Sequence, residues 1–362
     1  MLPLLKFRPV LMSKPWGGEA LWARLRKGGP ADERMGESWE LSDRPEGMSV
    51  VMDGPLTGRS FAEVLRENAG DVLGDLRNAA VSDPVFPLLY KFIAAREKLS
   101  VQVHPGAGSP LGEAKTECWY VVDAAPGASL IVGVEPGGRT PQETLEALKS
   151  PGCEAVLQRL PAAPGDMFFI PAGTVHAITE GLLLYELQQN SDTTFRLYDW
   201  GRVDAAGTPR ALHLEEAAQV ADLVHREGFR IAPLARTLQT HTESFLVACK
   251  YFALVKWSGF KNAEGAAPTA TLETSGRFRV VTAVAGHAVL RDLEGRETPL
   301  KLGDTVLVPA CHASVEVVAS DDAELLVSFV PDLERDVRAP LRAAGHADEA
   351  IDALFGPRVH AH

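Results

Sequence analysis

The chain has 362 residues, of which 46% are hydrophobic and 23% charged, a balance that excludes extensive disorder and leaves room for two or three packed units. Its 36 Lys and Arg face 48 Asp and Glu, a net charge of −12 with no concentrated basic stretch, which argues against a nucleic-acid partner. No apolar run reaches the roughly 20 residues that cross a bilayer, no signal-peptide cleavage pattern opens the chain, and Cys118, Cys153, Cys249 and Cys311 lie too far apart for a zinc ribbon or a dense disulfide framework. A cytoplasmic protein with reduced thiols and no membrane partner is expected.

In chain order, Ser38–Ser42 reads as a strand ending in the turn Asp43-Arg44-Pro45, and Ser60 to about Leu76 as a helix capped by Ser60. Leu88–Ala94 is an apolar strand, and Leu99–His104 alternates with period two. Further strands follow at Cys118–Val122, Ser129–Gly133, Met167–Ile170 and Leu182–Leu187. Residues 141–160 read as a helical hairpin broken at Pro151-Gly152, and His213–Val224 as a second helical stretch that closes this unit. Strands return over Phe245–Trp257, Phe278–Ala283, Ala288–Leu293, Thr305–Val308, Ala313–Val318 and Leu325–Phe329. The boundaries predicted are 1–230 for a first unit with helical elements, 235–332 for a second, and 333–362 for a partly helical tail. Short strands closed by Gly and Pro turns make the fold mainly β, a barrel or sandwich with a few short helices.

Two segments repeat one another. Gly165-Asp166, four apolar residues and Pro171-Ala172 recur as Gly303-Asp304, Thr305–Val308 and Pro309-Ala310. The Gly-Asp makes a tight turn, the run packs inward, and Pro-Ala stops the strand. With a His five residues after the Pro, the pattern resembles the second motif of the cupin superfamily, which implies one jelly-roll (double-stranded β-helix) barrel in each half. In the first copy that residue is His176; in the second it is Ser314, which cannot replace an imidazole. One metal site, in the first barrel, is therefore expected, with the second barrel structural.

Gln102 and His104 are two apart on a β pattern and share a face, while Val101 and Val103 point the other way. With Glu117 at the start of the next strand and His176 after the Gly-Asp turn, they make a set of two imidazoles, a carboxylate and an amide. That set suits zinc, or less specifically manganese, iron or cobalt. LSVQVHP, KTECWY, PAGTVHAI and QNSDTTFRLYDWGR, in that order, resemble the type I mannose-6-phosphate isomerases, particularly their compact bacterial members. The resemblance implies zinc on Gln102, His104, Glu117 and His176, and a sugar phosphate as the partner. The helical insertion of the longer members has no room in this chain.

An aldose–ketose isomerase moves a proton between neighbouring carbons through a cis-enediol or enediolate, and it needs an acid–base group and a grip on phosphate. Lys115, two before Glu117, faces the same pocket, and a divalent cation nearby disfavours its ammonium form; the resemblance also implies a functional Lys there. It further implies a catalytic Arg at Arg196 and a phosphate-binding basic residue at Arg202. Ser100, two before Gln102, shares its face and can bind phosphate. Glu186 and Asp192 are further carboxylates able to handle protons. The rivals are a cupin oxidoreductase using iron, a non-catalytic sugar-binding cupin, and an isomerase of another sugar phosphate or a free aldose. Oligomeric state is not encoded in any of these motifs.

Overall fold

Alternation along the strands resolves into four antiparallel sheets in the computed structural model, which describes residues 1–28, 34–137, 139–150, 152–204, 206–261 and 267–359. A seven-stranded sheet runs in the order Arg230–Ile231, Met167–Ile170, Glu117–Ala124, Leu182–Gln189, Leu88–Ala95, Met35–Leu41, Val10–Ser13. Facing it is a five-stranded sheet in the order Phe195–Tyr198, Val101–Val103, His176–Ile178, Ser129–Val134, Leu157–Pro161. Ile93, Trp119, Val121, Phe168 and Leu184 from the first meet Leu130, Val132 and Ile178 from the second in a buried interior. That interior is the core of the first jelly roll. Because side chains alternate, Val101, Val103, Ala177 and Phe195 point out of the barrel, where the helices Pro141–Leu148 and Leu214–Val220 cover them with Leu145, Leu148, Ala217 and Val220.

The second jelly roll pairs an eight-stranded sheet with a four-stranded one. Its large sheet packs on the outer face of the seven-stranded sheet, so the two barrels share one apolar cluster. Hydroxyl contacts cross this seam, among them Tyr185 to Thr282 and Tyr90 to Ser328, both 3.2 Å. The chain's first strand, Leu5–Arg8, pairs with Thr305–Val308 and with Val50–Val51, and so completes the sheet built by the later half. Among the described residues no helix is long and apolar enough to cross a membrane. All four cysteines are free thiols, two of them buried.

Ser60 caps the helix Phe61–Leu73 through a reciprocal capping box with Glu63. Gly165 and Gly303 both adopt left-handed φ angles, 90° and 86°, as the two Gly-Asp turns require. Elsewhere the structure departs from the sequence reading. Residues 141–160 are not a helical hairpin: after Pro141–Leu148 comes a short turn, Cys153–Val156, and then the strand Leu157–Pro161, which pairs with Ser129–Val134. The open edge of the five-stranded sheet captures that segment, and tertiary pairing outweighs local helical spacing. Pro151 of the expected break lies outside the described residues. A six-residue helix at Ala20–Leu25 joins the single one expected in the first hundred residues, and Phe245–Trp257 is a hairpin of Thr242–Ala248 and Ala253–Ser258.

The repeat also differs in parity. His176 and Ile178 face their barrel's interior, but in the second barrel Val315, Val317 and Ala319 do, packed with Ala288 and Leu290. Ser314 is thus turned to the other face although its spacing from Pro309 matches, because a one-residue slip moves every side chain of a strand across the sheet.

Candidate active site

Strand register assembles the site. His176 lies directly opposite Gln102, and Gln102 opposite Arg196, so these three side chains form a row on the inner face of the five-stranded sheet. Glu117, on the inner face of the opposing sheet, sits between Ile170 and Gln188. His104 follows the Val101–Val103 strand and is buried. The Oε1 of Glu117 is 3.3 Å from His176 Nε2 and its Oε2 is 3.6 Å from His104 Nε2. Gln102 Nε2 is 3.2 Å from His176 Nε2.

Each imidazole is fixed by a backbone carbonyl. His104 Nδ1 donates to Thr193 O and His176 Nδ1 to Thr174 O, both at 2.8 Å. A carbonyl only accepts, so the Nδ1–H tautomer is set and both Nε2 lone pairs point at Glu117. Burial, reinforced by Lys115, pushes His104 far below the usual histidine range; burial pushes His176 down to about 4. Both rings are therefore neutral near pH 7, the form that binds metals. Both oxygens of Glu117 are buried; Oε2 has the Lys115 ammonium at 2.8 Å, while Oε1 has no donor among the described residues, which is costly for a carboxylate unless a further cation completes it. Ligand atoms of His104, Glu117 and His176 all lie within 4.8 Å of one another. The residues fit a divalent metal, and no other such group occurs among the described residues.

Beside this trio lies a polar cavity of about 290 Å³ lined by Ser100, Gln102, Lys115, Glu186, Asp192 and Arg196. Lys14, Glu37, Lys91, Thr194 and Arg210 add to its polar wall. Lys115 Nζ is 2.8 Å from Glu117 Oε2 and 3.2 Å from His104 Nε2, although Lys115 precedes the strand rather than lying on it. Arg196 donates from Nε to Ser100 Oγ at 3.3 Å and from Nη1 to Ala211 O at 2.8 Å. Burial and then Arg210 hold Arg196 below its ordinary value. Five basic side chains against three acidic ones line a cavity in a protein of net charge −12, the local reversal an anionic substrate requires. A larger cleft, about 820 Å³ around Arg24, Arg96 and Asp123, contains none of the trio.

Residues 4–125 match the family model for the type I phosphomannose isomerase catalytic domain. Mannose-6-phosphate isomerase ManA of Bacillus subtilis is 36% identical over 340 residues, 90% of this chain and 98% of that protein. The mannose-6-phosphate isomerase of Streptococcus mutans is 35% identical over 327 residues, covering 86% and 96%. The chain belongs to the type I phosphomannose isomerase family. A crystal structure of the mannose 6-phosphate isomerase from Bacillus subtilis superposes with a TM-score of 0.79 at 32% identity, covering 90% of this chain and 99% of that one.

In this phosphomannose isomerase fold Arg202 stands apart from the other candidate residues. It lines a neighbouring cleft with Asp199 and Arg210, donating to Asp199 and to Lys98 O. Arg210 lines both cavities and is held by the same Asp199. Sequence reasoning missed Arg210, which sits in a loop without a motif. It also missed Glu37, which shares its strand with Glu40, and Lys91, whose signal was available because it is the lone charge inside the apolar strand Leu88–Ala95. Lys91 is buried 2.8 Å from Glu186, which also accepts from Trp119 Nε1 at 2.8 Å. Burial alone would lower Lys91, yet Glu186 and Glu37 hold it above its ordinary value. Glu186→Gln is expected to destabilise the fold by about 3 kcal/mol, because it leaves a buried ammonium short of its counter-charge. The midpoint of urea unfolding checks this.

Proposed function

We propose that this chain interconverts mannose 6-phosphate and fructose 6-phosphate through a cis-enediol(ate), with one zinc ion per chain held by Gln102, His104, Glu117 and His176. The observation that carries the reading is that buried Lys115 touches both Glu117 and His104 while opening on the cavity that Arg196 lines. When bound, the metal supplies Lewis acidity toward a sugar oxygen and lowers the energy of the enediolate charge. Lys115 Nζ handles the proton exchanged between C1 and C2 or their oxygens, a role that needs its position at the cavity wall. Arg196 keeps one guanidinium nitrogen, Nη2, without a protein acceptor among the described residues, and directs it to developing negative charge or phosphate. Ser100 orients Arg196 by accepting from Nε. Arg202 acts through Asp199, which it shares with Arg210, so that Arg210 presents the cation at the phosphate end.

In this reading residues 1–230 carry the chemistry, while residues 235–332 form a second barrel without metal and residues 333–362 a partly helical tail. The expected location is the cytoplasm. Arg196→Ala is expected to lower kcat/KM for mannose 6-phosphate by about 10²-fold, and Arg196→Lys by less, since a point charge restores attraction without the planar fork. Steady-state kinetics of the two variants test this. The function itself is tested by following mannose 6-phosphate in D₂O by NMR with purified protein. Formation of fructose 6-phosphate, with deuterium entering at C1, supports isomerisation by proton transfer. No turnover of mannose 6-phosphate by metal-loaded protein overturns the substrate and leaves an isomerase of another sugar phosphate.

A further inference from the structure

The second barrel retains a cavity where the first carries its metal residues. In the first barrel Glu117 pairs with Ile170, the fourth residue of the strand that follows Gly165-Asp166. In the second, the residue paired with Val308, fourth after Gly303-Asp304, is Arg279. Both side chains lie on the inner faces of their barrels, and Arg279 shares its face with Val281, Val327 and Phe329. The position that holds a carboxylate in one barrel therefore holds a guanidinium in the other. It faces a cavity of about 330 Å³ walled by Phe245, Val255, Trp257 and Phe329.

Arg279 is only 5% exposed. Its Nε donates to Glu273 O at 3.2 Å and its Nη1 to Phe278 O at 3.3 Å, and the guanidinium lies 4.3 Å from the Phe329 ring centre. No carboxylate pairs with it among the described residues. The acids near the cavity are otherwise engaged or exposed: Glu243 is held by Arg236, Asp336 by Arg335, and Glu273 is exposed to solvent. Burial presses Arg279 down to about 10, against the opposing pull of Asp336. A buried guanidinium without a counter-anion is expensive, and a ligand anion removes that cost. Ser275, at the cavity lip, adopts a left-handed φ of 53°, an unusual conformation for a residue other than glycine.

We propose that the second barrel is a binding site for a small organic anion, its phosphate or carboxylate on Arg279 and its body against Trp257 and Phe245. This site is separate from the isomerase cavity and does not rest on the reaction proposed there. The test uses the full chain labelled with 5-fluorotryptophan, with the Trp257 and Trp119 resonances assigned by Trp257→Phe and Trp119→Phe. Inorganic phosphate and benzoate are titrated separately, so that the two head groups are distinguished. The Trp257 resonance is expected to shift saturably with at least one of them. The midpoint should move at least roughly tenfold in Arg279→Met, the loss of one charge-assisted contact. Thr271→Asp, at the exposed cavity mouth, keeps the test open if Arg279→Met does not fold, and it should weaken binding in the same direction. Absence of a saturable Trp257 shift with both probes, or unchanged midpoints in the variants that fold, overturns the proposal.

Discussion

Glu117→Gln is expected to lower kcat/KM by about 10³-fold or more and to strip the purified protein of most of its metal. Glutamine preserves the shape of the side chain but removes the only negative charge between the two Nε2 atoms, which lie 3.3 and 3.6 Å from its oxygens. The new amide NH₂ can donate to the His176 lone pair and occupy the atom that ligates. Metal analysis alongside steady-state kinetics checks both halves of this expectation. A variant that retained one metal per chain and the parental rate would remove Glu117 from the ligand set. Circular dichroism separates loss of metal from loss of fold, since the Nδ1–H bonds to Thr174 and Thr193 hold the imidazoles independently of Glu117.

Lys115→Met is expected to lower kcat by about 10²- to 10⁴-fold, the range for removing a positioned acid–base group, while leaving metal content unchanged. A second consequence distinguishes it from a merely structural lysine. In the metal-free protein Lys115 is the cation nearest Glu117, at 2.8 Å, so its removal leaves a buried carboxylate uncompensated. Metal restores the missing charge. The variant should therefore lose thermal stability mainly in the metal-free state, and added zinc should raise its Tm more than it raises that of the parent. An equal Tm deficit with and without metal, at unchanged kcat, would make Lys115 a packing residue only.

Much of the site was legible because β-structure has a two-residue period. Gln102 and His104 fall on one face and Val101 and Val103 on the other, and the structure places the valines in the layer under the helices. The Gly-Asp turn and the His five residues after Pro171 pointed to His176 through their resemblance to the second cupin motif. What remained hidden depends on strand order, which sequence periodicity does not contain. The Lys91–Glu186 pair exists because Leu88–Ala95 and Leu182–Gln189 are neighbours, with those two residues directly opposed. Arg210 reaches the cavity from a loop, its guanidinium held by Asp199. Spacing also carries no parity. Ser314 matches His176 by count from the proline, yet it faces out because the second barrel buries Val315 instead. The strand Leu157–Pro161 was mistaken for helix for a related reason: its apolar residues fit a helical period, and only the open edge of a sheet decides against it.

The most direct test of the central claim is a titration of metal-free protein with zinc while the conversion of mannose 6-phosphate to fructose 6-phosphate is recorded. Turnover rising linearly and breaking at one equivalent per chain is the result predicted by a single ligand set in the first barrel. Turnover that is indifferent to chelation, or that shows no break near one equivalent, would contradict a reaction carried at His104, Glu117 and His176.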